Sequence, residues 1–195
     1  TADVAEEKNP ILSPDGNFVA YTKNNNLYTF NLLTRKEVAI TNETEKGILN
    51  GYASWVYFEE IFGRPTQYRA FWWSPDSKYI SFMRFDERNV PMFPIYNSEG
   101  QHGFVEETRY PKAGDPNPTV KIGWVNPRGG EITWAKFDDQ EDQYFGWPIF
   151  NPNNNAMWLS WMDRGQNNLK VFELDMVTGD KKEVYREYQK TWIDL

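Results

Sequence analysis

The sequence predicts an all-β fold, part of a β-propeller with about three four-stranded antiparallel blades. Three observations lead there. A turn rich in Ser, Asn, Pro and Asp recurs as Ser13-Pro14-Asp15-Gly16, Ser74-Pro75-Asp76-Ser77 and Asn151-Pro152-Asn153-Asn154. Each turn is followed by an apolar run of strand length, then by polar turns and further short runs, and a repeated turn-plus-meander unit is the mark of propeller blades. Aromatics make up 17% of the 195 residues, with 9 Trp. Such side chains suit a pleated, half-buried surface better than a helix bundle.

The elements follow in order. Residues 1–9 are polar and are expected to be a frayed connection. In the first turn Pro14 sets φ at the second position, Ser13 caps and Gly16 follows. Phe18-Val19-Ala20-Tyr21-Thr22 is then a strand, Asn24-Asn25-Asn26 a turn, and Leu27-Tyr28-Thr29-Phe30-Asn31-Leu32 the next strand. Thr34-Arg35-Lys36 turns the chain into Glu37-Val38-Ala39-Ile40-Thr41, which completes a blade unit over residues 10–50. A second unit, 68–137, contains the strand Lys78-Tyr79-Ile80-Ser81-Phe82-Met83-Arg84-Phe85, a strand at 120–125, and another after the Arg128-Gly129-Gly130 turn. A third, 145–190, contains Ala156-Met157-Trp158-Leu159-Ser160-Trp161. In it, residues 168–175 mirror 26–31, and an outer strand at 182–185 follows the Val177-Thr178-Gly179-Asp180 turn.

Pro14, Pro75 and Pro152 lie farther apart than the roughly 40–50 residues of an ordinary blade, so insertions must separate the units. One contains Glu59 and Glu60. The other spans residues 86–118 with Pro91, Pro94, Pro111, Pro116 and Pro118. A proline-rich run cannot be a central strand, so an ordered loop is expected there. Insertions on rigid blades are where function concentrates. Because propellers close with about 4–8 blades, three would leave two open edges, and the chain is expected to be a fragment of a longer propeller.

Composition excludes several functions. A net charge of -7 argues against nucleic acid and anionic membrane surfaces. No apolar run approaches the ~20 residues of a membrane helix, and no basic-then-apolar leader opens the chain. Without cysteine there are no disulfides and no thiolate zinc site. His102 is the one histidine, and no Gly-x-Ser-x-Gly elbow is present, so no catalytic residue is assigned. Asp138-Asp139-Gln140-Glu141-Asp142 lacks the spacing and glycine of an EF-hand and is expected to be a solvated acidic loop, with no metal. No glycine-rich phosphate loop follows a strand, and no cofactor is expected. Asn42-Glu43-Thr44 matches a glycosylation acceptor, which matters only in a secreted eukaryotic protein.

The candidate site is Trp55-Val56-Tyr57-Phe58-Glu59-Glu60-Ile61-Phe62-Gly63-Arg64. Its aromatics favour burial and would pin the segment while Glu59 and Glu60 face a cavity or solvent. Paired carboxylates repel unless a cation joins them. An ammonium group supplies three donors for short charge-assisted bonds. Neighbours on a regular helix do not share a face, so the two can converge only at a helix end or on a one-turn helix. The plain alternative is a solvated pair.

The segment from Trp55 to Phe62 resembles the double-glutamate motif of the dipeptidyl peptidase IV family. The likeness continues through Trp72-Trp73-Ser74-Pro75-Asp76, Arg84-Phe85-Asp86-Glu87, Val90-Pro91, Tyr110-Pro111-Lys112-Ala113-Gly114 and Asn117-Pro118-Thr119-Val120-Lys121, over residues 52–125. The resemblance implies a short helical insertion whose Glu59 and Glu60 bind the free α-amino group of a peptide. Phe58 stands where relatives are often acidic. It further implies a serine exopeptidase that removes N-terminal dipeptides ending in Pro or Ala. Its catalytic triad would lie in a C-terminal α/β-hydrolase domain absent from this chain. Implied partners are a peptide with a free N-terminus, the missing blades and hydrolase domain, and a possible homodimer. The implied setting is periplasmic, secreted or cell-surface. The family's carbonyl-binding arginine has no counterpart here: Arg35 is the only arginine before Glu59 and sits in a blade turn. Arg64 is given no role, and Arg84 is expected to pair with Asp86 in support of the insertion. The competing reading is a propeller for protein–protein interaction, including a peptidase homologue without a nucleophile.

Overall fold

The computed structural model describes residues 4–151 and 156–193. Its first sheet is a meander of β1 (Lys8–Leu12), β2 (Phe18–Lys23), β3 (Asn26–Asn31) and β4 (Lys36–Ala39), antiparallel and in that spatial order. The second contains β5 (Ile48–Asn50), β6 (Phe71–Trp73) and β7 (Ile80–Asp86). A separate ribbon of β8 (Met92–Asn97) and β9 (Phe104–Arg109) follows, and β10 (Thr119–Val125) and β11 (Thr133–Trp134) complete the second sheet. The third sheet holds β12 (Gln143–Phe145), β13 (Ile149–Phe150), β14 (Ala156–Asp163), β15 (Asn168–Asp175) and β16 (Lys181–Tyr188). In each of the last two sheets one edge position is shared by two short strands. β5 and β6 both pair with β7, and β12 and β13 both pair with β14. Each sheet is therefore a four-position antiparallel blade, as the repeats predict.

The recurring turns close by the same chemistry. Ser13 N donates to Phe18 O (2.8 Å) and Phe18 N to Ser13 Oγ (2.9 Å), while Ser13 Oγ donates to Asp15 (2.6 Å). Ser74 repeats all three bonds with Tyr79 and Asp76. The Ser13 bond, aided by Asn17, holds the Asp15 carboxyl down at about 2. Residues 152–154 of the third turn lie outside the described residues, yet Asn151 N donates to Ala156 O at 3.0 Å, the same closure. The Asn24-Asn25 hairpin has φ of 50° and 59°, a two-residue turn whose left-handed pair asparagine tolerates.

The blades pack face to face. Ala20 and Leu27 of the first sheet meet Phe71, Ile80, Phe82 and Val125 of the second. Phe85, Ile122 and Trp124 of the second meet Phe145, Leu159 and Leu174 of the third. Two buried polar bonds cross these seams: Thr29 Oγ1 to Pro127 O (2.6 Å) and Trp124 Nε1 to Met176 O (2.7 Å). Gly123 is bare because Trp134 lies across it. A Cβ there would meet Trp134 Cε3 at 2.7 Å.

β5 and β6 explain how the glutamate insertion leaves the sheet. β5 pairs with residues 84–86 and β6 with 80–82, leaving Met83 between them. Gly51 N donates to Met83 O (2.9 Å), Met83 N to Ala70 O (2.9 Å) and Ala70 N to Gly51 O (3.0 Å). The edge strand is thus hydrogen-bonded throughout, and residues 51–70 form an excursion whose two ends meet across one backbone bond. Gly51 supplies the φ of 69° at the exit, where a side chain would also crowd Leu27 and Thr22.

The 86–118 insertion differs from the loop expected. It carries the β8–β9 ribbon, with Pro94 opposite Glu107. Proline disqualifies a central strand, but both strands of a two-stranded ribbon are edges, where a missing N–H costs nothing. Met92, Tyr96, Phe104 and Val105 are exposed on it. Arg109 ties its base by donating to Arg88 O (2.9 Å) and Val90 O (2.7 Å). Beside Arg109 at this base, burial pushes the Glu87 carboxyl up to about 7, with Arg109 opposing and Asp86 adding to the rise. A carboxyl raised in the fold stabilises while protonated, so this contribution is complete below the unfolded value near 4.3 and fades as pH rises through 7. Glu87→Gln is expected to raise the melting temperature at pH 8 and leave it nearly unchanged at pH 4.5. Equal shifts at both pH values in thermal melts of the intact protein would contradict this.

Candidate functional site

The excursion is organised by aromatic side chains. Residues 55–61 form one short helix, wound as a π-helix over Tyr57–Ile61. Phe58 N donates to Ser54 O, and Phe62 N donates to Tyr57 O at 2.7 Å, five residues back. The wide turn is fixed from inside by Tyr57, which is 1% exposed. Its ring packs on Phe85, Phe62 and Tyr144 at centroid distances of 4.7, 5.4 and 6.3 Å. Its hydroxyl accepts from Phe145 N (3.0 Å) and donates to Gln143 O (3.5 Å). Burial pushes this hydroxyl far above the ordinary tyrosine range, so it stays protonated and keeps its donor. On the other flank Phe58 stacks on Tyr68 at 3.8 Å, and Tyr68 on Tyr52 at 5.0 Å. A phenylalanine at position 58 therefore serves the return of the chain. Trp55 meets Tyr110 at 5.5 Å, joining the helix to the base of the ribbon.

The return path is strained. Gly63 (φ 78°) ends the helix, a short turn over Arg64–Thr66 follows, and Gln67 and Tyr68 both adopt positive φ, 51° and 67°. An aromatic residue there is an outlier, and such strain clusters at functional sites. Four buried side-chain atoms lack a hydrogen-bond partner among the described residues. Asn50 Nδ2, Ser54 Oγ and Arg69 Nε belong to the excursion or its exit, and the fourth is Thr22 Oγ1. Buried polar atoms are normally paired with protein or ordered water.

The two glutamates differ. Glu59 is half-buried, with 23% of its side chain exposed, and Arg64 grips both carboxylate oxygens. Nε bonds Oε1 and Oε2 at 3.0 and 2.8 Å, and Nη2 bonds Oε1 at 2.7 Å. Glu59 in turn raises the Arg64 pKa, chiefly through these bonds. Glu60 is exposed and has no hydrogen bond or ion pair among the described residues. It lines a cleft of about 480 Å³ together with Tyr144, Phe145, Ser160, Trp161 and Trp192. Adjacent carboxylates thus stand on a short, rigidly seated turn, one held by a guanidinium and the other free.

Other candidates separate from this site. His102 is exposed in the 98–103 loop between β8 and β9, and Asn42 is exposed beyond β4. Asp142 pairs with Arg164 at 3.1 Å, and no cluster of three or more metal-ligating side chains occurs among the described residues. Arg84 and Asp86 do not pair as expected. They lie two apart on one strand, but Arg84 reaches Glu43 (3.4 Å) in the loop after β4, and Asp86 is held by Arg88 (2.9 Å). No helix among the described residues is long and apolar enough to cross a membrane. Sequence reasoning missed Arg64, although an arginine just past the Gly63 stop of a short helix is well placed to reach back.

Stacked four-position blades with a short helix pushed out of one edge strand define part of a β-propeller domain. The particular family follows from comparison with known proteins. Residues 2–195 match the model of the dipeptidyl peptidase IV (DPP IV) N-terminal region. The chain belongs to this family. Dipeptidyl aminopeptidase B of Saccharomyces cerevisiae is 37% identical over 184 residues, covering 91% of this chain and 22% of the yeast protein. The crystal structure of Porphyromonas gingivalis dipeptidyl peptidase 4 superposes over 100% of this chain and 27% of its own, with a TM-score of 0.85 and 27% identity. The chain therefore spans less than a third of the length of these relatives.

Proposed function

We propose that Glu59 and Glu60 anchor the free α-amino group of a peptide, in a protein that removes N-terminal dipeptides ending in Pro or Ala. The observation that carries this is the exposed, unpartnered Glu60 carboxylate beside the clamped Glu59, on a turn seated by Tyr57. Two carboxylates with spare lone pairs accept from an ammonium group. Binding the amine at a fixed place limits how far the chain can enter, which sets the cut after the second residue. The catalytic triad is assigned to a hydrolase domain outside this chain, and the intact protein to a non-cytoplasmic compartment, both on family likeness. Cell fractionation tests the latter.

The direct test compares Gly-Pro-p-nitroanilide with its N-acetyl form on the intact protein. Acetylation removes the charge and two of the three donors. The acetylated substrate is expected to lose at least about 100-fold in kcat/KM, as for a lost charge-assisted contact of roughly 3 kcal/mol. Equal turnover of both substrates would remove the amine anchor from consideration.

A further inference from the structure

We infer that Arg64 sets the charge preference for the first side chain of the substrate, by reducing the acidic pair to a single net negative charge. The inference rests on the amine-anchor reading above. Glu59 and Glu60 together carry two negative charges, and Arg64 returns one positive charge through three hydrogen bonds to Glu59. What remains matches one α-ammonium group. A substrate whose first residue is Lys or Arg brings a second positive charge, for which the pair, with Arg64 bound, has no net charge left. It also meets a guanidinium 71% exposed beside the anchor.

A purely structural role explains Arg64 poorly. Exposed ion pairs contribute little to stability, and Arg64 lies at the surface. Its Nε and Nη2 face Glu59, leaving Nη1 with no bond among the described residues. Each carboxylate oxygen can accept more than one bond, so a clamped Glu59 still has lone pairs for an ammonium. The guanidinium therefore shares Glu59 with the substrate. Removing it leaves one negative charge uncompensated next to the first side chain, and that favours a dication.

The experiment measures kcat and KM of the intact protein and of Arg64→Gln and Arg64→Lys on Lys-Pro-, Gly-Pro- and Glu-Pro-p-nitroanilide. For Arg64→Gln the ratio of kcat/KM on the Lys substrate to that on the Glu substrate should rise roughly 3- to 30-fold. A shift of that size is expected of charge interactions in partly screened surroundings, and it should appear in KM. Arg64→Lys keeps the charge and should keep the parent ratio within about 2-fold. The shift should also shrink in high salt. An unchanged ratio in Arg64→Gln overturns the inference, as does an equal shift in Arg64→Lys, which would make the role one of fork geometry. Glu60→Gln on the Gly substrate separates the two levels of argument. If it raises KM while Arg64→Gln leaves the ratio fixed, the anchor stands and the role of Arg64 falls. If it has no effect, the anchor itself falls.

Discussion

Replacing either glutamate of the pair by glutamine in the intact protein is expected to lower kcat/KM on a free-amine dipeptide substrate by roughly 30- to 5,000-fold, the equivalent of about 2–5 kcal/mol for one partner of a desolvated charge pair. The amine is bound before and during bond cleavage, so most of the loss should appear as a higher KM. The two substitutions should not be equal. Glu60→Gln removes the free acceptor and leaves Glu59 in the grip of Arg64. Glu59→Gln does more, because it releases a guanidinium that can turn to Glu60 and occupy the remaining carboxylate. Glu59→Gln, Arg64→Gln together should then recover part of the loss caused by Glu59→Gln alone. Full activity in both single variants would show that the pair is a solvated surface feature. A larger loss for Glu60→Gln would show that Arg64 stays where it is when its partner is gone.

Much of this fold is legible because its determinants are local. Ser13, Pro14 and Asp15 specify a turn through bonds among six neighbouring residues, and Ser74, Pro75 and Asp76 repeat it. The Glu pair is legible for a similar reason, since it sits inside a dense run of aromatics whose burial a short segment can signal. What escaped depends on distant partners. Ile48-Leu49-Asn50 is too short a run to announce a strand, and its identity as half of an edge strand emerges only when Met83 bridges Gly51 and Ala70. The β8–β9 ribbon was concealed by Pro94, since proline argues against strands in general but not against a ribbon made only of edges. Arg84 and Asp86 share a strand face, which made them plausible partners. Glu43 and Arg88, on neighbouring loops, took both.

The reach of Tyr57 was equally hidden, because its partners Gln143 and Phe145 lie 86 and 88 residues away. Its loss has the largest expected effect on stability. Tyr57→Ala should destabilise the protein by about 3–5 kcal/mol, the range for deleting a buried aromatic side chain. Tyr57→Phe keeps the ring contacts with Phe85, Phe62 and Tyr144 but leaves the Phe145 N–H buried without an acceptor, a cost of about 1–3 kcal/mol. The pair of variants divides packing from hydrogen bonding, and kinetics then tests position. The hydroxyl joins the glutamate turn to the third blade, so Tyr57→Phe should raise KM for a free-amine substrate at temperatures where the protein remains folded. KM for an acetylated substrate, which makes no use of the pair, should barely move. A stability loss with no change in free-amine KM would mean that the aromatic stack of Phe58, Tyr68 and Tyr52 holds the turn unaided. A shift in both KM values would place the effect on the domain as a whole. The expected result, a loss confined to the free amine, would show that a buried hydroxyl bond from the glutamate turn to the neighbouring blade sets the position of the two carboxylates on that turn.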